Sequence, residues 1–188
     1  MQLINHYLPV FQFRERHAIV VTASPKQLLD AVLLPNVMDD PWTKKFIWLR
    51  ELPDRVLGSL GASSGLHSRP AFGFEDFMLL GRDNDCELAF GLLGRFWQSD
   101  YGLVRVSDPQ AQFAQYEEAH LAKLVLNFSV EVLAEGRCRL KTETRVHCTD
   151  ARALHRFTPY WWLIRPVSGL IRRRLLRRIC DKAISSNL

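Results

Sequence analysis

Histidine and cysteine are the residues whose spacing would most directly indicate chemistry, because they serve as metal ligands, nucleophiles and proton carriers. No pair of histidines has H-x-x-x-H or H-E-x-x-H spacing; the six are His6, His17, His67, His120, His147 and His155. No pair of cysteines has C-x-x-C spacing; the four are Cys86, Cys138, Cys148 and Cys180. These spacings predict neither a metal site nor a cofactor. Because we identify no secretion signal, we expect free thiols.

The stretch at residues 58–65, GSLGASSG, has the composition of a phosphate-binding loop but not its pattern. It lacks the Gly-Lys-Ser/Thr ending and the preceding apolar strand that a P-loop requires. Ser63 and Ser64 also lack the G-x-S-x-G setting of a hydrolase nucleophile. We therefore identify no catalytic residues, and we interpret residues 58–68 as a mobile loop. An enzyme is the less favoured class of protein.

The basic residues are concentrated near the end of the chain. The net charge is +5, yet residues 165–188 alone carry seven basic residues and one acidic residue. A basic, amphipathic helix of this kind is suited to anionic lipid or nucleic acid. The residues that would form such a surface are Arg172, Arg173, Arg174, Arg177 and Arg178. The alternative is a solvated helix end whose cations favour the helix dipole. Because the rest of the chain is nearly neutral, we expect no specific nucleic-acid binding.

Aromatic side chains and a few charged residues on predicted strands form the remaining candidate set. The aromatic residues can be ordinary core or the lining of a pocket; they are Phe72, Phe74, Phe77, Phe90, Phe96, Trp97, Phe113, Phe128, Phe157, Trp161 and Trp162. Arg95 lies between Gly94 and Phe96 in a very apolar segment. It either points into a pocket or forms a salt bridge with Glu75 or Asp76. Arg145 is expected on a solvated face.

The first half of the chain is predicted to form one strand, two short helices and a hairpin. Residues 14–22 are rich in β-branched side chains, as strands are. Ser24, Pro25 and Gln27 then form a helix start with a capping box. A second helix is predicted at residues 42–51. Strands at residues 72–82 and 86–97 follow, joined by the turn sequence at residues 83–85.

The second half is predicted to contain a weak strand at residues 101–106, two long strands and a long helix. The long strands cover residues 122–134 and 137–148 and turn at Glu135 and Gly136. The second of them alternates cleanly, which predicts one inward and one wet face. Thr149 and Asp150 begin a helix that runs nearly to the end, and Pro166 is expected to kink it.

This order of elements predicts an α+β fold: a curved antiparallel β-sheet wrapped around a long C-terminal α-helix, with two short helices after the first strand. The length of 188 residues fits a single domain, 1–188. No run of about 18 apolar residues is present, and we recognise no signal peptide. The expected location is cytoplasmic. The sequence leaves the oligomeric state open.

Four segments resemble the START-like superfamily, which is also called SRPBCC or Bet v 1-like. Residues 20–29, VVTASPKQLL, look like its first strand and helix start. Residues 142–150, TETRVHCTD, look like its last strand entering the C-terminal helix. Residues 90–97, FGLLGRFW, and 157–173, FTPYWWLIRPVSGLIRR, resemble a bacterial subgroup. The superfamily has the helix-grip fold and no universal catalytic residues.

The resemblance implies a cavity between the sheet and the C-terminal helix that takes a small hydrophobic or aromatic molecule. The implied lining is Phe74, Phe77, Phe90, Arg95, Trp97, Phe128, Phe157 and Trp161. The superfamily includes lipid carriers and polyketide cyclases, so binding or carriage is the first hypothesis. An enzyme of the cyclase or dehydratase type is the second. A module that makes weak contact with an anionic membrane, or with a protein, through the basic helix is the third.

Overall fold

A computed structural model of the chain describes residues 2–34, 74–98 and 100–185. The helices are α1 (Leu3–Tyr7), α2 (Pro25–Val32), α3 (Pro109–Gln112) and α4 (Ala151–Ser185). The strands are β1 (Phe13–Val21), β2 (Met78–Asp83), β3 (Glu87–Gly94), β4 (Ala122–Val132) and β5 (Cys138–Cys148). The fold is α+β, as predicted: a curved antiparallel sheet against which a long C-terminal helix packs. Of the two short helices expected after β1, α2 is present, whereas residues 42–51 lie outside the described ranges.

The sheet has the strand order β1-β5-β4-β3-β2, and each strand is antiparallel to its neighbours. The two predicted turns join neighbouring strands. Asn84 adopts a positive φ of 46° between β2 and β3. Glu135 and Gly136 have φ values of 62° and 68° between β4 and β5, which is the left-handed pair that tight hairpins favour. These turns fix the register of β2 against β3 and of β4 against β5.

The start of α2 forms as its sequence predicts. The Ser24 side chain accepts a hydrogen bond from the Gln27 backbone amide, and the Gln27 side chain accepts one from the Ser24 amide. Pro25 occupies the first turn, where its missing N–H costs nothing. The helix buries Leu28, Leu29 and Val32. Its apolar side therefore becomes part of the main core.

One face of the sheet, here called the inner face, packs against α2 and α4. The main cluster joins Leu88, Phe90 and Phe128 of the sheet to Leu176 and Ile179 of α4. A second cluster lies nearer the start of α4; its buried members are Leu92, Phe96, Ala122, Val146, Cys148, Ala153, Phe157 and Trp161. The long helix thus covers the sheet through two separate apolar contacts.

The opposite face, here called the outer face, was predicted to be wet along β5; this holds for Arg139 and Lys141, whose side chains are 40% and 45% exposed, but not for Arg145. Helix α1 and the segment before β4 cover part of this face with a third apolar cluster: Ile4, Tyr7, Leu8, Met78, Leu80, Ala89, Leu93, Phe113, Leu121 and Val125. Arg145 of β5, expected in solvent, is only 6% exposed. Its guanidinium donates to Asn5 Oδ1 at 2.8 Å and to the Leu8 carbonyl at 3.1 Å. The alternation in β5 predicted which residues share a face. It did not predict the segments of the chain that pack on the outer face.

Three predicted strands are clearly shorter or absent: β3, expected to reach residue 97, ends at Gly94, and the other two lie at 72–82 and 101–106. Residues 74–76 form a 3₁₀ turn, and β2 begins only at Met78. The Phe74 and Phe77 rings stack at 5.4 Å, which suits the three-residue repeat of this turn. Residues 101–106 form no strand; a single bridge joins Val104 to Leu93. Tyr101 and Gly102 adopt positive φ, so the backbone turns where extension was expected.

Helix α4 is 35 residues long and contains Pro159 and Pro166. Asp150, just before it, accepts the Ala153 amide at 2.7 Å, which confirms the predicted helix start. No helix in the described ranges is long and apolar enough to cross a membrane. The predicted loop at residues 58–68 lies outside those ranges.

Candidate functional site

The predicted aromatic lining lies in two groups rather than one. Phe74, Phe77, Phe90 and Phe128 belong to the main inner cluster, with the Phe74 and Phe90 ring centroids 4.6 Å apart. The other group lies around the start of α4; its predicted members are Trp97, Phe157 and Trp161. Phe13 of β1, which the sequence did not single out, joins this second group 5.0 Å from Phe157. Phe72 lies outside the described residues.

Between the two aromatic groups, the inner face carries polar side chains. Glu15 of β1 is paired with Thr144 of β5, and His17 is paired with Thr142. Because side chains two residues apart share a face, all four point toward α4, as Phe13 does. Apolar pairs flank them on both sides: Phe13 with Val146, and Ile19 with Leu140. With Arg172 of α4, these four residues are called the inner polar cluster below.

Glu15 and His17 are bonded to each other. His17 Nε2 lies 2.7 Å from Glu15 Oε1, and the side chains are only 14% and 9% exposed. Two residues apart on one strand, they need no loop to bring them together. The carboxylate therefore has a partner and fixes the direction of the imidazole ring.

Gly169 allows α4 to approach this pair closely. A Cβ atom at this position would lie 3.0 Å from Glu15 Oε1 and 3.5 Å from His17 Cε1. Any larger side chain would occupy the space in front of the pair. Gly169 thus sets the clearance between the helix and the inner polar cluster.

Arg172, one turn further along α4, was predicted to lie on the basic surface, and the structure places it against the sheet instead. Its Nη1 donates to Thr142 Oγ1 over a long 3.4 Å. Desolvation lowers the pKa of Arg172 to about 10, although the Glu15 carboxylate acts in the opposite direction. The reason is helical spacing, since Arg172 shares its stripe with Trp161, Leu175 and Ile179, which are all buried.

Arg172 and Thr144 both have unused hydrogen-bonding capacity. A guanidinium has five N–H donors, and the bond to Thr142 is the one hydrogen bond that Arg172 donates within the described chain. No carboxylate oxygen of the described residues lies within 4.0 Å of it. Thr144 Oγ1 is buried with no hydrogen-bond partner there. Buried donors without acceptors are costly, so this arrangement suits a bound acceptor group.

Arg95 was predicted to orient a ligand or to pair with Glu75 or Asp76, and the structure supports neither alternative. Its Nη2 lies 3.1 Å from Glu118 Oε1, and its Nε donates to the His120 carbonyl at 3.1 Å. Arg105 takes the expected carboxylate, Asp76, at 3.3 Å. Arg95 therefore fastens the segment before β4 rather than facing the inner polar cluster.

The outer face carries a cleft of about 530 Å³ that the sequence did not predict. Lys123 and His147, paired across β4 and β5, line part of it. The Lys123 ammonium donates to the carbonyls of Ala114 and Tyr116. Burial lowers the pKa of Lys123, and burial together with Lys123 lowers the pKa of His147. His147 Nδ1 has no hydrogen-bond partner in the described chain. This atom of the neutral ring can therefore form a hydrogen bond with a bound molecule.

The remaining basic residues of α4 lie away from the sheet. Arg173, Arg174 and Arg177 are exposed, and Arg178 is half-buried. Preceding them on the exposed side are Trp162, Leu163 and Leu170, which are 62%, 72% and 52% exposed. The outward side of α4 therefore has an apolar stretch in its middle, preceded by the exposed Arg152 and Arg156 and followed by the exposed arginines near its end.

The cysteines and acidic residues form no metal centre in the described ranges. No group of three or more His, Cys, Asp or Glu side chains is close enough to hold a metal ion there. All four cysteines are free thiols. Burial raises the pKa of Cys148 to about 12 and that of Cys180 to about 11, so both are protonated at neutral pH.

The fold places this protein in the α+β class: a long C-terminal helix packs against a curved antiparallel sheet, and a polar cluster lies between them. No protein-family model matches the chain, and no curated protein matches it. A conserved protein from Geobacillus kaustophilus is similar over 93% of this chain and 97% of its own. The identity is 9% and the TM-score is 0.38. A similarity at this level assigns neither a family nor a function.

Proposed function

We propose that the protein binds, and carries, a small and mainly apolar molecule between the inner face of the sheet and α4. The inner polar cluster is the observation that carries this proposal. An inner face that served only as core would not need the polar groups of Glu15 and His17 beneath α4, or that of Arg172 on it. Ligand sites characteristically combine an apolar lining with a few polar groups that fix orientation.

The two aromatic groups on either side of the cluster would desolvate the body of the ligand. Phe90 and Phe128 lie on one side, and Phe13, Phe157 and Trp161 lie on the other. The resemblance to START-like proteins supports the same location. Gly169 lets the backbone of α4 lie close to the inner polar cluster, because it has no side chain to fill the space in front of Glu15 and His17.

Native mass spectrometry of the freshly purified protein tests this proposal. We expect an added mass that leaves when the protein is unfolded. Gly169→Leu should abolish it, because the new side chain fills the space in front of Glu15 and His17. Arg173→Leu adds the same side chain to the exposed side of the helix and should retain the mass. An added mass that survives Gly169→Leu would place the ligand elsewhere.

A second candidate function is an enzyme of the cyclase or dehydratase type at the same place. The observation that favours it is the His17–Glu15 pair at 2.7 Å, because a carboxylate-oriented imidazole can act as a general base. If the reaction removes water, the wild type should retain the product and His17→Gln should retain the substrate. The added masses of the two proteins should then differ by the mass of one water molecule. Identical retained masses would favour binding alone.

A third candidate function is docking on an anionic membrane through α4. The exposed Trp162, Leu163 and Leu170 match the apolar part of an interfacial helix, and Arg173 and Arg177 supply the charge. The protein should then sediment with vesicles of phosphatidylserine and phosphatidylcholine, less strongly at high salt, and not with phosphatidylcholine alone.

Two double variants and a matched control make the vesicle test specific. Trp162→Ser with Leu163→Ser, and Arg173→Glu with Arg177→Glu, should each abolish sedimentation. Val132 is 68% exposed on the sheet, so Val132→Ser is the control and should leave binding unchanged. Equal sedimentation with neutral vesicles would contradict membrane docking.

A further inference from the structure

The chemistry of the inner polar cluster narrows the class of ligand. Two of its groups have unused hydrogen-bonding capacity: the Arg172 guanidinium, a donor that makes one long hydrogen bond, and the buried Thr144 hydroxyl, which can donate or accept. The carboxylate of the cluster, Glu15, already accepts a hydrogen bond from His17 Nε2 at 2.7 Å. What the cluster lacks is therefore an acceptor.

Arg172 has the position as well as the chemistry to take that acceptor. It lies on the inward stripe of α4 yet keeps part of its surface accessible. Desolvation at the same time lowers the pKa of Arg172 to about 10. The group remains a cation at neutral pH, and its partly exposed side chain lies against the inner face of the sheet. Burial without an anion is costly for such a cation.

We propose that the ligand carries a carboxylate, which Arg172 binds beside Thr142. This inference rests on the proposed function above. A carboxylate matches the planar guanidinium, because two parallel N–H groups can bond its two oxygens. A group with two negative charges fits less well, since Glu15 lies on the same face. The ligand class is thus a monocarboxylic acid with an apolar body.

Displacement of a neutral dye measures the preference for a carboxylate separately from the ability of the pocket to bind an apolar molecule. Nile red is the dye, and dodecanoate, dodecanol and methyl dodecanoate are the competitors. The wild type should bind dodecanoate about tenfold or more tightly than the alcohol and the ester, in keeping with a charge-assisted hydrogen bond. Arg172→Met should remove this preference while leaving dodecanol affinity unchanged. Arg172→Lys should restore only part of it, because the bidentate geometry is lost.

Arg173→Met is the matched control, since it removes a neighbouring arginine from the exposed side of α4. It should keep the preference for the acid. Two results would contradict the carboxylate proposal without contradicting the proposed pocket. One is Nile red binding with no acid preference in the wild type, and the other is an acid preference that survives Arg172→Met. Failure to bind Nile red together with the absence of any added native mass overturns both proposals.

Discussion

Single residues of the inner polar cluster differ in how well their polar atoms are satisfied, although they look alike in sequence. Thr142 and Thr144 alternate on one strand, and both are nearly inaccessible. Thr142 accepts a hydrogen bond from Arg172, whereas Thr144 has no partner in the described chain. The first hydroxyl contributes to the stability of the folded protein, and the second has unused hydrogen-bonding capacity.

Thr144→Val should therefore stabilise the ligand-free protein, while Thr142→Val should destabilise it. Valine has the shape of threonine, so the change removes the hydroxyl and little else. We expect the free energy of unfolding to rise by about 1 kcal/mol for Thr144→Val and to fall by about 1 kcal/mol or more for Thr142→Val. Urea denaturation measures both. Equal effects of the two variants would contradict the different hydrogen bonding of the two hydroxyls.

The site could be predicted from sequence only in part at this scale. The aromatic residues were identified, because size and apolarity are visible in the residue type. Arg172 was assigned to the surface, since a run of arginines is usually solvated, although its helical spacing matched Trp161 and Ile179. Glu15 and His17 gave no signal, because both faces of β1 carry charged residues. Only the position of α4 distinguishes those faces.

The start of α4 is the element whose stability depends most clearly on one charge. Asp150 accepts the Ala153 amide at 2.7 Å, the His120 amide at 2.7 Å and His120 Nδ1 at 2.8 Å. These bonds, led by that from Ala153, lower the pKa of Asp150 to about 2. The carboxylate thus joins the helix start to the segment that precedes β4.

Asp150→Asn should lower the melting temperature in a pH-dependent way. A lowered pKa means that the folded state favours the ionised carboxylate of Asp150. Its contribution to stability is therefore complete above the pKa of the unfolded state and is lost as the pH falls through the pKa of the folded state. The difference between wild type and variant should be complete above about pH 5 and largely gone near pH 2. Circular dichroism melts across this range measure it. A difference that is the same at pH 2 and pH 6 would contradict the assigned role.

Elements were predicted better than single contacts, because local rules govern them. The capping box of α2 and the hairpin between β4 and β5 are encoded within a few residues. The strand expected at residues 101–106 was wrong, since a positive φ at Tyr101 depends on packing rather than on local propensity. The strand expected from residue 72 begins only at Met78, because residues 74–76 form a 3₁₀ turn.

At the scale of the whole molecule, the sheet is covered on its inner face and over part of its outer face, and the outer cover depends on Gly91. A Cβ atom at this position would lie 2.6 Å from Phe113 Cε2 and 2.9 Å from Leu80 Cδ2. Phe113 is fully buried in the outer cluster. The outer face was unpredictable because short segments distant in sequence form its cover.

Gly91→Ala should therefore loosen the outer cover. We expect the free energy of unfolding to fall by about 1–3 kcal/mol, the usual cost of overpacking. Gly81→Ala is the matched control, since its new Cβ would lie 3.5 Å from Tyr7 Oη, an ordinary contact. That variant should change stability by less than about 1 kcal/mol. Urea denaturation of the pair measures the difference, and equal losses would contradict it.

The proposed inner site and the outer cleft lie on opposite faces of one sheet, so locating a bound ligand decides between them. The most direct measurement is a crystal structure with 12-bromododecanoate, in which anomalous scattering locates the bromine. We predict bromine among the inner aromatic side chains, with the carboxylate on Arg172. Bromine in the outer cleft beside Lys123 and His147, or a carboxylate turned away from Arg172, would contradict the central claim.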